Sequence, residues 1–299
     1  MSVFRREDHT FEYPRYLKAL QPVSARAQHP ALRRAFLDKL CDRAAALDRP
    51  LRILEIGAGR GDQMKWMIEA LRRASIALHY DALEPDPTNR SVVEEKVCQI
   101  EKGSDSIIKV LPIKFFDHYR NISQKNKSGT YDVVMARSVI DLMPVDKMLS
   151  KIKNIANKNI TVYTPLTFAM TTRLAPSAPK NVEPIEKRII ENYHHSIQEK
   201  TNLNLGQYPS HEVVNWANRI GLSVMVRASD WAIVPSKQAY SGDEAYALQS
   251  ILAFVYDEAK ESGVVPEGAL DKWWSARHEM LRESRLIYTA NQFDILAYQ

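Results

Sequence analysis

The sequence predicts an α/β fold built on a doubly wound, mostly parallel sheet of seven strands, and three observations carry that prediction. Leu51 to Gly61 is a short apolar run that breaks into alternating glycines and then opens a helix. Short β-compatible segments alternate with amphipathic helical patterns as far as residue 166, the order a parallel sheet needs because each crossover requires a covering helix. A 45% hydrophobic content over 299 residues supplies the core of one large domain.

In the first strand, Leu51, Ile53, Leu54 and Ile56 suit a strand covered on both faces. Glycines 57, 59 and 61 remove Cβ atoms, so the turn can bend sharply and lie against a ligand. The helix Asp62 to Arg73 carries Met64, Met67, Ile68 and Leu71 at helical spacing and turns its N-terminal N–H groups to the same crevice. A dinucleotide fingerprint needs glycine at 62, where this chain has Asp62. The second strand, Ala77 to Glu84, ends in Glu84-Pro85-Asp86. Glu84 stands where a doubly wound fold places a carboxylate that accepts hydrogen bonds from ribose hydroxyls; alternatively it is a helix-start acid beside Asp86 and Thr88.

Residues 1–50 open with Phe4, Phe11, Tyr13 and Tyr16 and become helical in pattern from Pro30 to Leu47. Thr88 to Lys102 reads as a helix closed by Gly103, Ile107 to Phe116 as the third strand, and Tyr131 to Met135 as the fourth. Val145 to Lys158 is a helix with a lysine face, which reads as a solvated surface before it reads as an RNA track, and Ile160 to Leu166 is the fifth strand. The chain then leaves the alternating pattern through the proline-bearing segment 167–210, with a helix from Pro184 to Lys200 containing Tyr193, His194 and His195. A helix from His211 to Gly221 precedes a sixth strand, Leu222 to Val234. Ser241-x-x-Glu244 reads as a capping box for a helix ending at Gly263, followed by a helix from Pro266 to Glu283 and a last strand from Arg285 to Tyr298. Trp231, Trp273 and Trp274 read either as core or as a surface for a planar or cationic acceptor.

The run Glu55-x-Gly57-x-Gly59-x-Gly61 resembles motif I of the class I S-adenosylmethionine-dependent methyltransferases. The resemblance covers roughly residues 51–166 and implies a Rossmann-like methyltransferase fold with S-adenosyl-L-methionine as cofactor. It implies cofactor contacts from Glu55, Gly57, Ala58, Gly59, Gly61, Asp62 and Gln63 in the loop, and from Glu84 and Pro85 at the second strand tip. Phe116 and Asp117 match the adenine position, and Ala136, Arg137 and Ser138 match motif IV. The Asn/Asp-Pro-Pro-aromatic tetrad of related base-modifying enzymes is missing there. The resemblance also implies a helical cap from residues 1–50, an acceptor lid from 167–210, and, as a departure, a helical insertion at 235–285 between the last two strands.

The expected activity is methylation of a small-molecule oxygen, nitrogen or carbon, with an RNA or protein methyltransferase, or a cofactor-binding module without catalysis, as alternatives. Asp141 and His118 are the first candidates for a base, with Tyr163 and His194 behind them. Asp141 reads equally as a partner for a cationic acceptor or as a plain turn acid, and His118 as a core histidine. No residue set has zinc-site or hydrolytic metal spacing. The net charge of +5 is spread along the chain and does not by itself imply nucleic acid. Cys41 and Cys98 form no pairwise motif and no leader pattern opens the chain, so a cytoplasmic protein is expected, with no membrane span and a homodimer permitted.

Overall fold

The computed structural model describes residues 5–6, 9–100, 106–124, 129–237 and 239–299. Two helices, α1 (Tyr13–Ala27) and α2 (Pro30–Ala45), lead into β1 (Leu51–Ile56), α3 (Asp62–Arg73), β2 (Leu78–Leu83) and α4 (Pro87–Ile100). Next come β3 (Ile107–Leu111), α5 (Phe115–Gln124), β4 (Tyr131–Met135), a 3₁₀ turn at Ile140–Leu142, α6 (Val145–Ile155) and β5 (Ala156–Ala175). The chain closes with α7 (Glu183–Thr201), α8 (Pro209–Arg219), β6 (Ser223–Ala228), β7 (Trp231–Ile233), α9 (Glu244–Ser262), α10 (Glu267–Arg282) and β8 (Ile287–Tyr298).

The main sheet has eight strands in the order β3-β2-β1-β4-β5-β8-β6, with β7 also paired to β8. The first five strands are parallel neighbours, and β8 runs antiparallel between β5 and both β6 and β7. The order reverses between β1 and β4, and a crevice for a ligand opens at the carboxyl ends of the strands at such a switch point. Every residue of β1 except Arg52 is buried, as expected for a strand covered on both faces.

Five sequence expectations need correction. The third strand stops at Leu111, and Phe115–Gln124 is a helix whose buried residues Phe115, His118 and Ile122 fall on one face. A helix absent from the sequence reading, α1, buries Ala19, Leu20, Val23 and Ser24. The fifth strand runs on through Ala175, bulged against β8, so residues 167–175 of the expected lid are sheet. The sixth strand is broken at residues 229–230, which makes eight strands of the expected seven. Ser241 does not cap α9, whose N-cap is Asp243. Glu244 is instead buried and accepts a hydrogen bond from Arg26 at 2.7 Å. The expected stop at Gly103 lies outside the described residues.

Two cores sandwich the sheet, and a third joins α1 to α7, α9 and α10. In that third core Leu20 and Val23 of α1 meet Leu248, Leu252 and Trp273. Arg15 holds Asp243 through two hydrogen bonds of 2.8 and 2.9 Å, and Glu12 donates its backbone N–H to Tyr246 at 2.7 Å. The start of α1 is thereby strapped to the start of α9, some 230 residues later. Among the described residues no helix is long and apolar enough to cross a membrane.

Candidate active site

Between β1 and α3 the backbone passes through the left-handed region at Gly57, Gly59 and Gly61, with φ of 69°, 57° and 73°. A Cβ on Gly57 would lie 2.7 Å from Cγ2 of Val139, closer than carbon atoms tolerate. The loop is fixed from the second strand: Ala58 N–H donates to Leu83 O at 2.9 Å and Gly59 N–H to Glu84 Oε2 at 2.7 Å. Glu84 Oε1 accepts the Asp86 N–H at 3.0 Å. Burial raises the Glu84 carboxyl, opposed by the Asp86 and Gly59 N–H groups, and each oxygen keeps a lone pair for a further donor. Asp86 Oδ1 accepts from Asn89 N–H at 2.8 Å, so the helix-start role belongs to Asp86. Lys96 holds Asp62 and donates to Arg60 O at 2.6 Å, which fixes the start of α3.

This loop forms one end of a cavity of about 620 Å³, a size in the middle of the range for small-molecule sites. The loop end presents Gly57, Ala58, Gly59, Asp62, Glu84, Arg137 and Ser138, the last two just past β4. Tyr13 from α1 also lines it, and burial, with Glu84 and Asp86 adding, pushes its phenol up to about 12. The remaining wall includes aromatic side chains from six elements, Tyr16, Phe168, Tyr193, Trp231, Phe254 and Tyr288, together with the charged groups Lys200, Asp257, Glu258 and Glu261. Tyr16 and Phe254 meet edge to face at 5.4 Å, so α1 and α9 touch in the cavity wall. At the rim an ion pair between Lys200 and Glu258 joins α7 to α9.

Asp141, on the 3₁₀ turn after β4, also lines the cavity. Its Oδ1 is shut off from solvent and has no hydrogen-bond partner. Burial pushes its carboxyl up to about 6, resisted only by its own backbone N–H. A folded-state value above the ordinary 3.8 means that ionisation costs stability as pH rises from about 4 to about 6, with the full cost present above that window. Asp141→Asn is expected to stabilise the unliganded protein at pH 8 by on the order of 1–3 kcal/mol and to add little at pH 4. Denaturant unfolding at both values checks this, and equal stabilities at pH 8 would refute an unpaired carboxylate.

The structure thus brings Gly57, Ala58, Gly59, Asp62, Glu84, Arg137, Ser138 and Asp141 to one cavity. Other expected site residues do not line it. Glu55 is buried in the sheet, accepts the Tyr80 hydroxyl at 2.8 Å, and is pushed up to about 8 by burial. Gln63 accepts a hydrogen bond from Gln28 at 3.1 Å, and Gly61, Pro85 and Ala136 face elsewhere. Because the chain becomes helical at Phe115, Phe116 and Asp117 are carried onto α5, where Asp117 pairs with Arg120. His118 is on the buried face of that helix, its Nε2 2.8 Å from the Tyr131 hydroxyl, which donates to Asp81 at 2.6 Å. His118 does not line the cavity, and burial lowers its pKa.

Tyr163 stacks on Phe36 at 4.4 Å within the core, and His194 Nε2 accepts the Thr172 N–H at 3.0 Å. Neither reaches the cavity lining. Of the three tryptophans, Trp231 lines the cavity whereas Trp273 and Trp274 belong to the core. The sequence reading missed Tyr13 and Tyr16 as site residues. Their signal was the i, i+3 aromatic pair, which falls on one side of a helix.

A protein-family model described as "Putative S-adenosyl-L-methionine-dependent methyltransferase" matches residues 38–225, more than half of the chain. Among solved structures the chain is similar to a "putative sarcosine dimethylglycine methyltransferase" from Galdieria sulphuraria, at 16% identity and a TM-score of 0.37 over 87% of this chain and 84% of that one. It is also similar to a "putative methyltransferase" from Bacillus halodurans, at 13% identity and a TM-score of 0.43 over 88% and 96%. The cyclopropane synthase MmaA2 of Mycobacterium tuberculosis gives 12% identity and a TM-score of 0.39 over 88% and 83%. A search of curated protein sequences finds no match.

Proposed function

Because this chain belongs to the S-adenosyl-L-methionine-dependent methyltransferases, we propose that it methylates a small molecule held in the aromatic part of its cavity. The observation that carries this reading is the continuity of the cavity: the glycine loop and Glu84 at one end share one volume with the aromatic wall and Asp141. The glycine loop fits the donor, since its backbone lines the cavity at Gly57, Ala58 and Gly59 and Glu84 retains free lone pairs beside it. In this reading the Gly57–Gly59 backbone and the N-terminus of α3 lie against the donor, Glu84 takes its ribose hydroxyls, and Arg137 and Ser138 supply donors from the end of β4. S-adenosylmethionine supplies a methyl group already activated on a sulfonium, so the protein's task is to hold two reactants in line and exclude water. The aromatic wall performs the exclusion, and the α1 strap keeps it closed.

The lysines of α6 take no part in the cavity lining, which supports a small acceptor over an RNA track. Two cysteines without a disulfide suit a reducing compartment, and we place the reaction in the cytoplasm.

Titration calorimetry with S-adenosylmethionine, followed by transfer of a labelled methyl group to fractionated small-molecule extract, tests the proposal. Binding together with label in the small-molecule fraction is expected; label found solely in RNA or protein would overturn the acceptor class. Glu84→Ala is expected to weaken donor affinity by about 1–3 kcal/mol through loss of charge-assisted hydrogen bonds. Unchanged affinity would remove Glu84 from the donor site.

A further inference from the structure

We propose that the methyl acceptor is a primary or secondary amine on an aromatic-sized apolar body, and that Asp141 holds its ammonium charge and takes its proton. This deepens the methyltransferase reading and rests on it for the donor. The starting point is an unmet charge. Asp141 Oδ1 is buried without a hydrogen-bond partner in the wall of the cavity. The groups that interact with it electrostatically are phenols, Tyr16 from α1 and Tyr193 from α7, both held well above the ordinary tyrosine value by burial and therefore neutral. Arg137 and the Lys200–Glu258 ion pair line the same cavity, but no hydrogen bond from a cationic side chain reaches Asp141 Oδ1. A fold does not keep an uncompensated buried carboxylate without cost, and a ligand that brings a positive charge removes that cost on binding.

The wall around Asp141 selects the same ligand. Tyr16, Phe168, Tyr193, Trp231, Phe254 and Tyr288 present ring faces and edges to the cavity. Rings attract an ammonium group by their quadrupoles and cover an apolar body by contact area. A carboxylic acid would meet Asp141 with like charge. An alcohol or phenol would leave the carboxylate unneutralised on entry, whereas an ammonium cancels it.

Proton transfer follows from the same placement. The bound ammonium gives one proton to the Asp141 carboxylate, and the amine nitrogen, its lone pair now free, faces the methyl group. That nitrogen forms a bond to the methyl carbon as the carbon–sulfur bond breaks with its electron pair going to sulfur. The product leaves as a methylated ammonium, and the proton on Asp141 passes to water when the cavity opens.

The test uses the full-length protein with S-adenosylhomocysteine, probed by calorimetry at pH 7.5 with benzylamine, 2-phenylethylamine and N-methyl-2-phenylethylamine. The matched oxygen compounds are benzyl alcohol, 2-phenylethanol and 4-ethylphenol. At least one amine is expected to bind about tenfold or more tighter than its oxygen counterpart and to accept labelled methyl from S-adenosylmethionine. Asp141→Asn is expected to erase that preference while leaving the affinity for S-adenosylhomocysteine within about twofold. If the variant fails to fold, wild-type amine affinity is expected to fall as pH is lowered through about 6, where Asp141 takes up a proton. The inference is overturned if no amine binds better than its oxygen counterpart, if Asp141→Asn keeps the preference, or if amine affinity is flat across that pH range. Failure of S-adenosylhomocysteine to bind the wild-type protein is read separately, since that result strikes the donor assignment.

Discussion

Gly57→Val is expected to abolish S-adenosylmethionine binding while the sheet remains folded. The effect has two sources that act together. At φ of 69° the backbone is in the left-handed region, which costs a side-chain-bearing residue about 1–2 kcal/mol and a β-branched one more. The added Cβ would also stand 2.7 Å from Cγ2 of Val139, itself buried just past β4. Relief requires the loop or the β4 extension to move, and both carry groups that line the donor end of the cavity. A loss of about 100-fold or more in affinity follows from a displacement that removes two hydrogen bonds and the backbone contact. Circular dichroism with titration calorimetry separates folding from binding. A folded variant that binds with wild-type affinity would contradict the assignment of this loop to the donor.

Arg277→Met is expected to cost about 3–5 kcal/mol of global stability with donor affinity unchanged. Arg277 lies on α10 with no exposed surface. Its Nε donates to Glu186 of α7 at 2.6 Å, a second Glu186 oxygen takes the other arm of the fork, and Nη1 donates to Pro176 O at 2.7 Å. Glu186 also accepts the Trp273 indole N–H at 2.8 Å. Removing the guanidinium leaves a largely buried carboxylate at the edge of the core with the indole as its one partner among these bonds. Because α7 also carries Tyr193 and Ile197 of the cavity wall, the cost falls on the acceptor side. Chemical denaturation and calorimetry of the variant read both parts. A loss under 1 kcal/mol would mean that α10 is not fastened to α7 in this way.

The sheet from Leu51 to Tyr163 was legible because its signals are local. An apolar run, a glycine turn and an amphipathic helix follow one another within a few residues. Glu84 was legible for the same reason, since its place at the tip of the second strand depends on that strand alone. What failed depended on distant partners or on competing local signals. Helix α1 holds Pro22 in its interior, which argues against a helix, and is kept in place by Asp243 and Glu244 from the other end of the chain. Phe115 and Phe116 extend an apolar strand pattern, but the chain turns at residues 112–114 and the following spacing is helical. That one boundary carried Phe116, Asp117 and His118 away from the site. Glu55 matches the family motif yet serves the core by taking the Tyr80 hydroxyl, a pairing set by strand register. The aromatic wall is assembled from six elements, and no linear pattern announces such a meeting.

The claim beneath these expectations is that the donor's sugar rests on Glu84 while its reactive end faces the aromatic part of the same cavity. A crystal structure of the protein with S-adenosylhomocysteine measures this directly. The expected result is both ribose hydroxyls within about 3 Å of the Glu84 carboxylate oxygens, the tail against Gly57–Gly59, and the sulfur on the side of Asp141. A nucleoside seated elsewhere, with Glu84 bonded only to Gly59 and Asp86 as it is without ligand, would contradict the account.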